Sequence, residues 1–267
     1  MEFGGIRSCG RRRAPGSMKP GRTEPARCKG EGHPTHEIDL VRFSLTVGGA
    51  ELQRLHSTLS GEEAARARRF VQPGHGDRFV VARGRLRQIL GRYAGCEAAA
   101  VAFDIAAHGK PSLRAAAGAP EPVHFNLTHS GDVAAVALCR NAEVGLDIER
   151  IRPVREGLAR RYFAAEEVDS LEALEEAQRL PAFFRCWTRK EAFLKATGEG
   201  IGRGLGSFVV TVRADEEPSI LSIDGNRAAG KAYFLADFDA GPGTAAAVCV
   251  HARCGRNCVS FRLRDFG

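Results

Sequence analysis

Acidic and basic side chains recur at two places where the predicted backbone would aim them in one direction. In the segment FFRCWTRKEAFLKATGEGI, helical spacing sets Glu191 and Lys195 one turn apart on the same side. In the segment VGLDIER, period-two alternation puts Asp147 and Glu149 on one face of a strand and the apolar side chains on the other. Mg²⁺ takes one or two protein carboxylates and completes its octahedron with water and phosphate oxygens. Asp147, Glu149 and Glu191 could therefore form a Mg²⁺ site around a pyrophosphate, although an isolated Asp-x-Glu more often ends a strand with solvated charge.

Two further segments carry groups that suit phosphate oxygens. FNLTHSG sets Thr128, His129 and Ser130 at the end of a buried strand, where hydroxyl, imidazole and backbone N–H groups can meet. HGKP presents Lys110 on a rigid turn, as a point charge for another phosphate. Each has a plainer interpretation, because His129 could be a structural histidine and Lys110 an ordinary turn residue.

Length and composition allow one large domain or two small ones with a real core, since the chain has 267 residues and is 43% hydrophobic. No run of eighteen apolar residues occurs, and the N-terminus lacks the apolar core of a secretory signal, so we expect no membrane span. The eight cysteines follow neither a disulfide nor a zinc framework. This pattern favours a reducing cytoplasm.

Most of the net charge of +7 lies in residues 1–36, which hold eight Lys or Arg against three acidic residues. The remaining chain is therefore only +2, by subtraction of that surplus of five. With seven glycines and four prolines, the segment is typical of a disordered basic extension. It could be a nucleic-acid-binding arm, an Arg-rich transit peptide or an upstream extension ahead of a start at Met18 or later, and we assign it no function.

Periodic patterns begin near residue 37 and predict an α+β fold. Two series follow one another, each a helical stretch and then a group of strands, which predicts an N-terminal half at 37–143 and a C-terminal half at 144–267. No residue-level period accompanies this internal repeat.

The helices of both series have recognisable ends. Ser60 is a predicted N-cap, a long helix is predicted at about 74–93, and Gly198 is predicted to end the helix that carries Glu191. Pro181 is expected in the first turn of that last helix. Arginines on the outer face of the long helix are expected to be solvated, namely Arg83, Arg85 and Arg92.

The order and spacing of these pieces resemble the 4′-phosphopantetheinyl transferases of the single-chain, pseudo-dimeric type, which activate carrier proteins of polyketide and peptide synthetases. The resemblance runs from about residue 38 to the C-terminus. It is carried by the HGKP turn, by FNLTHS, by Gly-x-Asp-x-Glu at 145–149, and by the helix with Trp187, Lys190, Glu191 and Lys195.

This resemblance implies two similar halves in a pseudo-two-fold fold, and Mg²⁺-dependent transfer of phosphopantetheine from coenzyme A to a serine of an acyl or peptidyl carrier protein. The other product would be 3′,5′-ADP, and the protein would be a monomer. The implied Mg²⁺ ligands are Asp147, Glu149 and Glu191. The implied contacts to coenzyme A are Arg66, Arg78, Lys110, Pro111, Thr128, His129 and Lys195.

For catalysis we expect Glu191 to receive the serine proton, directly or through a metal-bound water, and Lys195 to add positive charge or a proton at the leaving group. Glu63 departs from the family, in which some members carry a lysine there, and Glu167 matches a family acid. Two alternatives remain: a non-catalytic module that binds coenzyme A or a carrier protein with the same fold, and a nucleic-acid-binding protein that relies on residues 1–36. We expect no nucleic acid and no membrane among the partners.

Overall fold

The computed structural model of the protein describes residues 36–105, 110–114, 122–252 and 258–266. The predicted extension at 1–36 therefore lies outside the described residues, apart from His36. The helices are α1 Gly49–His56, α2 Gly61–Arg68, α3 His75–Ala94, α4 Leu158–Tyr162, α5 Ala165–Glu172, α6 Glu176–Thr197 and α7 Arg227–Gly230. The strands are β1 His36–Ser44, β2 Phe103–Ile105, β3 Pro111–Leu113, β4 His124–Ser130, β5 Val133–Cys139, β6 Val144–Arg150, β7 Phe208–Val210, β8 Ile220–Ile223, β9 Tyr233–Asp237, β10 Thr244–His251 and β11 Val259–Asp265.

Two sheets organise the molecule, one in the order β11-β1-β5-β4 and the other in the order β6-β10-β9. Two hairpins, β2-β3 and β7-β8, stand apart from them. Strand β11 pairs with β1 in parallel, whereas the other pairs are antiparallel.

The same series of elements occurs twice along the chain. In each series a first strand is followed by three helices, a hairpin and two more strands, and the first strand pairs with the last. The first series comprises β1 to β5 and the second comprises β6 to β10. The predicted α+β class with two similar halves is confirmed.

The internal repeat is also present in the contacts of individual residues, and this correspondence was not predicted from the sequence. Glu63 and Glu167 each lie in the first turn of the second helix of their half, and each accepts the backbone N–H of the N-cap residue at 2.9 Å. Each also binds a cation of the third helix at 2.7 Å, Arg87 in the first half and Lys190 in the second. The two halves therefore keep one buried ion pair in equivalent positions.

The third helices of the two halves, α3 and α6, end in the same way, at glycines with a left-handed backbone. The φ angles are 68° at Gly95 and 73° at Gly198, so the predicted end of α6 is confirmed. The prediction for Pro181 is wrong, because α6 begins at Glu176 and encloses the proline. Pro181 costs the helix one backbone hydrogen bond, and burial of the residues after it in the core offsets that loss.

The solvated interpretation of the arginines on α3 is wrong for Arg85 and Arg83 and holds for Arg92, which is exposed. Arg85 is only 8% exposed and lies 3.2 Å from a carboxylate oxygen of Glu51. Arg83 is half-buried and donates to Glu63 at 2.7 Å. Carboxylates on neighbouring helices, which the periodicity of α3 cannot reveal, thus draw these two guanidinium groups inward.

A shared apolar core joins the two halves. Side chains of β1 and β5 from the first half pack there against side chains of β6, β9 and β10 from the second half. The remaining faces of the sheets are covered by helices, with α3 on the first sheet and α6 on the second. Among the helices of the described ranges, none is long and apolar enough to cross a membrane.

Candidate active site

Strands β4 and β6 lie side by side where the two halves meet, and side chains rather than a backbone ladder connect them. The N–H of Leu146 donates to Oδ1 of Asn126 at 3.0 Å, and the N–H of Arg150 donates to Oγ of Ser130 at 2.9 Å. Thr128 lies between these two contacts. The predicted phosphate-binding segment of one half is therefore placed directly beside the Asp-x-Glu segment of the other.

Gly145 brings helix α6 against strand β6. A Cβ atom at this position would lie 2.0 Å from the carbonyl oxygen of Ala192 and 2.3 Å from the backbone nitrogen of Ala196. No side chain fits at such distances, so the close approach requires glycine. Through this contact the last turns of α6, with Glu191 and Lys195, come to lie over the strand.

Lys195 is the central cation of the site. Its Nζ lies 2.6 Å from Oδ1 of Asp147, 3.1 Å from the carbonyl oxygen of Leu146 and 3.3 Å from Oγ1 of Thr128. Asp147 is only 5% exposed, and burial raises the pKa of its carboxyl group against the opposing effect of Lys195. Its second oxygen, Oδ2, is buried and has no hydrogen-bond partner within the described part of the chain.

The charges of the other two predicted metal ligands affect the pKa of Glu191. Burial raises the pKa of Glu191, the negative charges of Asp147 and Glu149 raise it further, and Lys195 lowers it. Repulsion among carboxylates favours the binding of a cation between them. Helix α6 and strand β6 thus bring Lys195 against Asp147 and Glu191 within reach of their charges, and the assignment of the three carboxylates as metal ligands stays a prediction.

The side chains of these carboxylates are not arranged as a set of metal ligands. Among the residues that the structure describes, no three His, Cys, Asp or Glu side chains stand in an arrangement that could hold a metal ion. Glu149 accepts from Ser130 Oγ at 3.2 Å and from Arg152 Nη1 at 3.0 Å, while Lys195 holds Asp147. The unpaired, buried Oδ2 of Asp147 nevertheless fits a divalent cation, which needs few protein ligands when phosphate oxygens supply the others.

A cleft of about 630 Å³ is lined by one of these carboxylates, Glu149. Predicted residues that line it are Arg66, Arg78, Pro111, His129 and Glu149. Ser130, from the segment predicted to meet phosphate, also lines it, and residues that line it and were not predicted are Phe70, His75, Phe79, Arg83 and Arg152, among others. The cleft thus combines cations, hydroxyl groups and aromatic rings, as a ligand with phosphates and a planar base requires.

The cations of the cleft are held in place by neighbours. Arg78 pairs with Asp132 at 2.6 Å, and the guanidinium carbon of Arg66 lies 5.2 Å from the ring centre of Phe79. Partial burial lowers the pKa of His129, and the positive charges of Lys195 and Arg78 lower it further. The imidazole is therefore largely neutral at neutral pH, when it can still donate or accept one hydrogen bond.

Lys110 lies at the junction of the two halves, against protein acceptors. Its Nζ donates to Glu143 at 2.7 Å, to the carbonyl of Lys195 at 3.0 Å and to the carbonyl of Val144 at 3.3 Å. It does not line the cleft, so its contact with a phosphate stays a prediction. His108 and Gly109 of the HGKP turn lie outside the described residues.

Sequence reasoning missed Arg152, and the signal that could have found it is a basic residue three positions after Glu149. The aromatic residues Phe70 and Phe79 were missed because apolar side chains at helical spacing normally indicate core packing. Their rings lie 5.6 Å apart and form one wall of the cleft.

Comparisons with known proteins define the class. A model of the 4′-phosphopantetheinyl transferase superfamily matches residues 143–249, and a model of the N-terminal region of a 4′-phosphopantetheinyl transferase matches residues 48–141. The chain is 44% identical over 169 residues to the 4′-phosphopantetheinyl transferase HetI of Nostoc sp., with 62% of this chain and 71% of the relative covered.

Other relatives extend further along the chain. A 4′-phosphopantetheinyl transferase of Bacillus subtilis is 29% identical over 209 residues, which cover 78% of this chain and 89% of that protein. The transferase Sfp of Bacillus subtilis strain 168 is 28% identical over 199 residues, which cover 74% and 85%. The chain therefore belongs to the 4′-phosphopantetheinyl transferase superfamily, as its motifs indicated.

Proposed function

We propose that this protein is an enzyme that transfers the phosphopantetheine arm of coenzyme A to a serine of an acyl or peptidyl carrier protein and releases 3′,5′-ADP. The observation that carries the proposal is the ion pair of Lys195 with Asp147, close enough to Glu191 to shift its pKa, on the strand whose Glu149 lines a cleft with cations and aromatic rings. Membership of the transferase superfamily supports it.

Coenzyme A would occupy the cleft. Arg66, Arg78 and His129 suit its phosphates, because guanidinium and imidazole groups donate to phosphate oxygens. Thr128 would contribute its hydroxyl from the buried end of β4, and Pro111 would contribute to the apolar wall. Both halves of the chain then hold parts of one ligand.

Mg²⁺ would be held by Asp147, Glu149 and Glu191, the donor set that matches a hard cation. When bound, it supplies Lewis-acid polarisation of phosphoryl oxygens and charge neutralisation. Lys195 forms an ion pair with Asp147, and Arg152 forms one with Glu149. These two cations offset the charge repulsion among the carboxylates.

The transfer needs an in-line nucleophile more than covalent help from the protein. The serine oxygen of the carrier protein attacks the phosphorus that bears pantetheine, and the bond from phosphorus to the 3′,5′-ADP oxygen breaks. Glu191 accepts the serine proton, and its raised pKa suits a group that must hold that proton transiently. Lys195 stabilises the negative charge that develops on the leaving oxygen.

We also propose that the protein acts as a cytoplasmic monomer with halves at 37–143 and 144–267. Support for the monomer comes from the site itself, since β4 of the first half and β6 with α6 of the second half contribute to it within one chain. No second subunit is needed to complete it.

Incubation with coenzyme A, Mg²⁺ and several apo carrier proteins tests the proposal, with the carriers weighed by intact mass spectrometry. We expect a carrier to gain the mass of one phosphopantetheine group, and 3′,5′-ADP to form in equal amount. Calorimetric binding of coenzyme A without mass gain on any carrier would support the non-catalytic module instead. Salt-sensitive nucleic-acid binding that disappears on deletion of residues 1–36 would support the third alternative.

A further inference from the structure

The ammonium group of Lys110 is surrounded by protein acceptors at the junction of the two halves. It lies 2.7 Å from Oε2 of Glu143, 3.0 Å from the carbonyl oxygen of Lys195 and 3.3 Å from the carbonyl oxygen of Val144. The side chain is about a quarter exposed, at 23%. An ammonium group has three protons to donate, so these three acceptors account for its full capacity.

Glu143 is itself held from a second side. The imidazole Nδ1 of His124, at the start of β4, donates to Oε1 of Glu143 at 2.8 Å. The hydrogen bond from His124, together with Lys110, lowers the pKa of Glu143 to about 2 against the opposing effect of partial burial. The carboxylate is thus ionised at neutral pH and binds Lys110 as a fixed charge.

The acceptor that matters for function is the carbonyl of Lys195. It lies in the last turn of α6 and, unlike the carbonyl of Leu194, which accepts the N–H of Gly198 at 3.0 Å, it receives no backbone N–H from the described residues. A cation at this end also interacts favourably with the negative end of the helix dipole. Lys110 therefore holds the backbone of the residue whose side chain reaches Asp147 and Thr128.

We propose that Lys110 is a positioning residue for Lys195, which it holds through the backbone carbonyl, and that its ammonium group does not bind a phosphate of coenzyme A. The inference rests on the proposed transferase function. It deepens that function, because it assigns the lysine of the HGKP turn to the orientation of the catalytic lysine.

Two roles for Lys110 lead to different kinetics. A lysine that contacts coenzyme A equally in the ground state and in the transition state would raise the KM for coenzyme A when it is removed, with kcat unchanged. A lysine that fixes the end of α6 would lower kcat and leave the KM for coenzyme A almost unchanged, because the cleft residues are untouched.

The variant Lys110→Met keeps the length of the side chain and removes its charge. We expect kcat to fall by about tenfold, as for other residues that orient a functional group, and the KM for coenzyme A to change by less than about twofold. The matched control is Arg114→Met, because Arg114 flanks the same hairpin and forms an exposed ion pair with Asp104 at 2.7 Å. Its kinetics should equal those of the wild type.

A second measurement needs no carrier protein. Amide hydrogen exchange of the peptide that contains the last turn of α6 should be about fivefold faster in Lys110→Met, which reflects one lost hydrogen bond, and unchanged in Arg114→Met. Glu143→Gln should produce part of both effects, since it leaves Lys110 with its carbonyl acceptors but without its counter-ion.

A rise in the KM for coenzyme A with unchanged kcat in Lys110→Met would overturn the inference, and so would unchanged exchange at the end of α6. Either result would leave the proposed function intact. A wild-type protein that modifies no carrier would instead refute the proposed function, while the exchange experiment would still show whether Lys110 fixes the end of α6.

Discussion

The ammonium group of Lys190 lies 2.7 Å from Oε1 of Glu167, and both side chains are fully shielded from solvent. Lys190 also donates to the carbonyl groups of Leu205 and Phe208, at 2.8 and 2.5 Å. It follows Arg189 and precedes Glu191 in the motif on α6, yet it points into the core rather than into the site. One turn of α6 therefore places Lys190 in the core on one side and carries Glu191 of the proposed active site on the other.

Removal of one partner of this pair should destabilise the folded protein. We expect Glu167→Leu to lower the free energy of unfolding by about 3–5 kcal/mol, because it leaves the ammonium group of Lys190 buried without its counter-ion. The double variant Glu167→Leu with Lys190→Met should recover much of this loss. Urea unfolding measures both, and equal stabilities of Glu167→Leu and the wild type would contradict the role of the pair.

Replacement of Gly145 by alanine should damage both stability and activity. The added Cβ would collide with the backbone of α6, so we expect a loss of about 1–3 kcal/mol or more and a fall in kcat as Lys195 shifts. The matched control is Gly61→Ala in the first turn of α2, where nothing lies within 4 Å of the new atom. Thermal unfolding and steady-state kinetics of the two variants should differ in this direction.

Loss of a carboxylate from the site should reduce transfer far more than it reduces folding. We expect Asp147→Asn and Glu191→Gln to lower kcat by about a hundredfold or more, the effect of losing a preorganised electrostatic group. Glu172→Gln is the control, because Glu172 forms an exposed ion pair with Arg160 on the surface. Wild-type rates in either site variant would exclude the proposed roles.

Chelation tests the metal independently of substitution. We expect EDTA to abolish carrier modification and added Mg²⁺ to restore it, because phosphate charge in the cleft needs a divalent counter-ion. Calorimetry should show weaker Mg²⁺ binding in Asp147→Asn than in the wild type in the presence of coenzyme A. Full transfer activity in excess EDTA would rule out the predicted dependence on Mg²⁺.

Glu143 should make stability depend on acid pH. Its pKa falls from the ordinary value of 4.5 to about 2 in the folded protein, so its contribution is complete above about pH 4.5 and is lost as the pH falls towards 2. The side chain is 50% exposed, and solvent therefore weakens the effect. Urea midpoints of the wild type and of Glu143→Gln should converge on acidification, and a constant difference would contradict this assignment.

The helices and strands could largely be predicted because their signals are local. Alternation on β6 and helical spacing on α6 predicted which side chains share a face within each element, whereas the contact of Lys195 with Asp147, 48 positions apart, was implied only by the family resemblance. Ser60 was recognised as an N-cap because its partner, Glu63, lies within the same turn. Sequence patterns a few residues long can therefore predict hydrogen bonds between residues that are close in the sequence.

The partners of isolated charges could not be predicted, because these partners come from distant segments. Arg85 lies against Glu51 of another helix, and Lys110 lies against the carbonyl of Lys195, 85 positions further along the chain. Pro181 was misplaced for a related reason, since packing of α6 against the core outweighs its local preference for a first turn.

Strand β11 completes the sheet of the first half, although it follows both series of elements in the described part of the chain. Arg42 and Asp265, which are 223 positions apart, are joined across it at 2.7 Å. A contact of such separation forms late and carries a large entropic cost of loop closure. During synthesis on the ribosome, the outer edge of β1 therefore stays unpaired until residues 259–265 have emerged, which leaves this edge open to mispairing in the nascent protein.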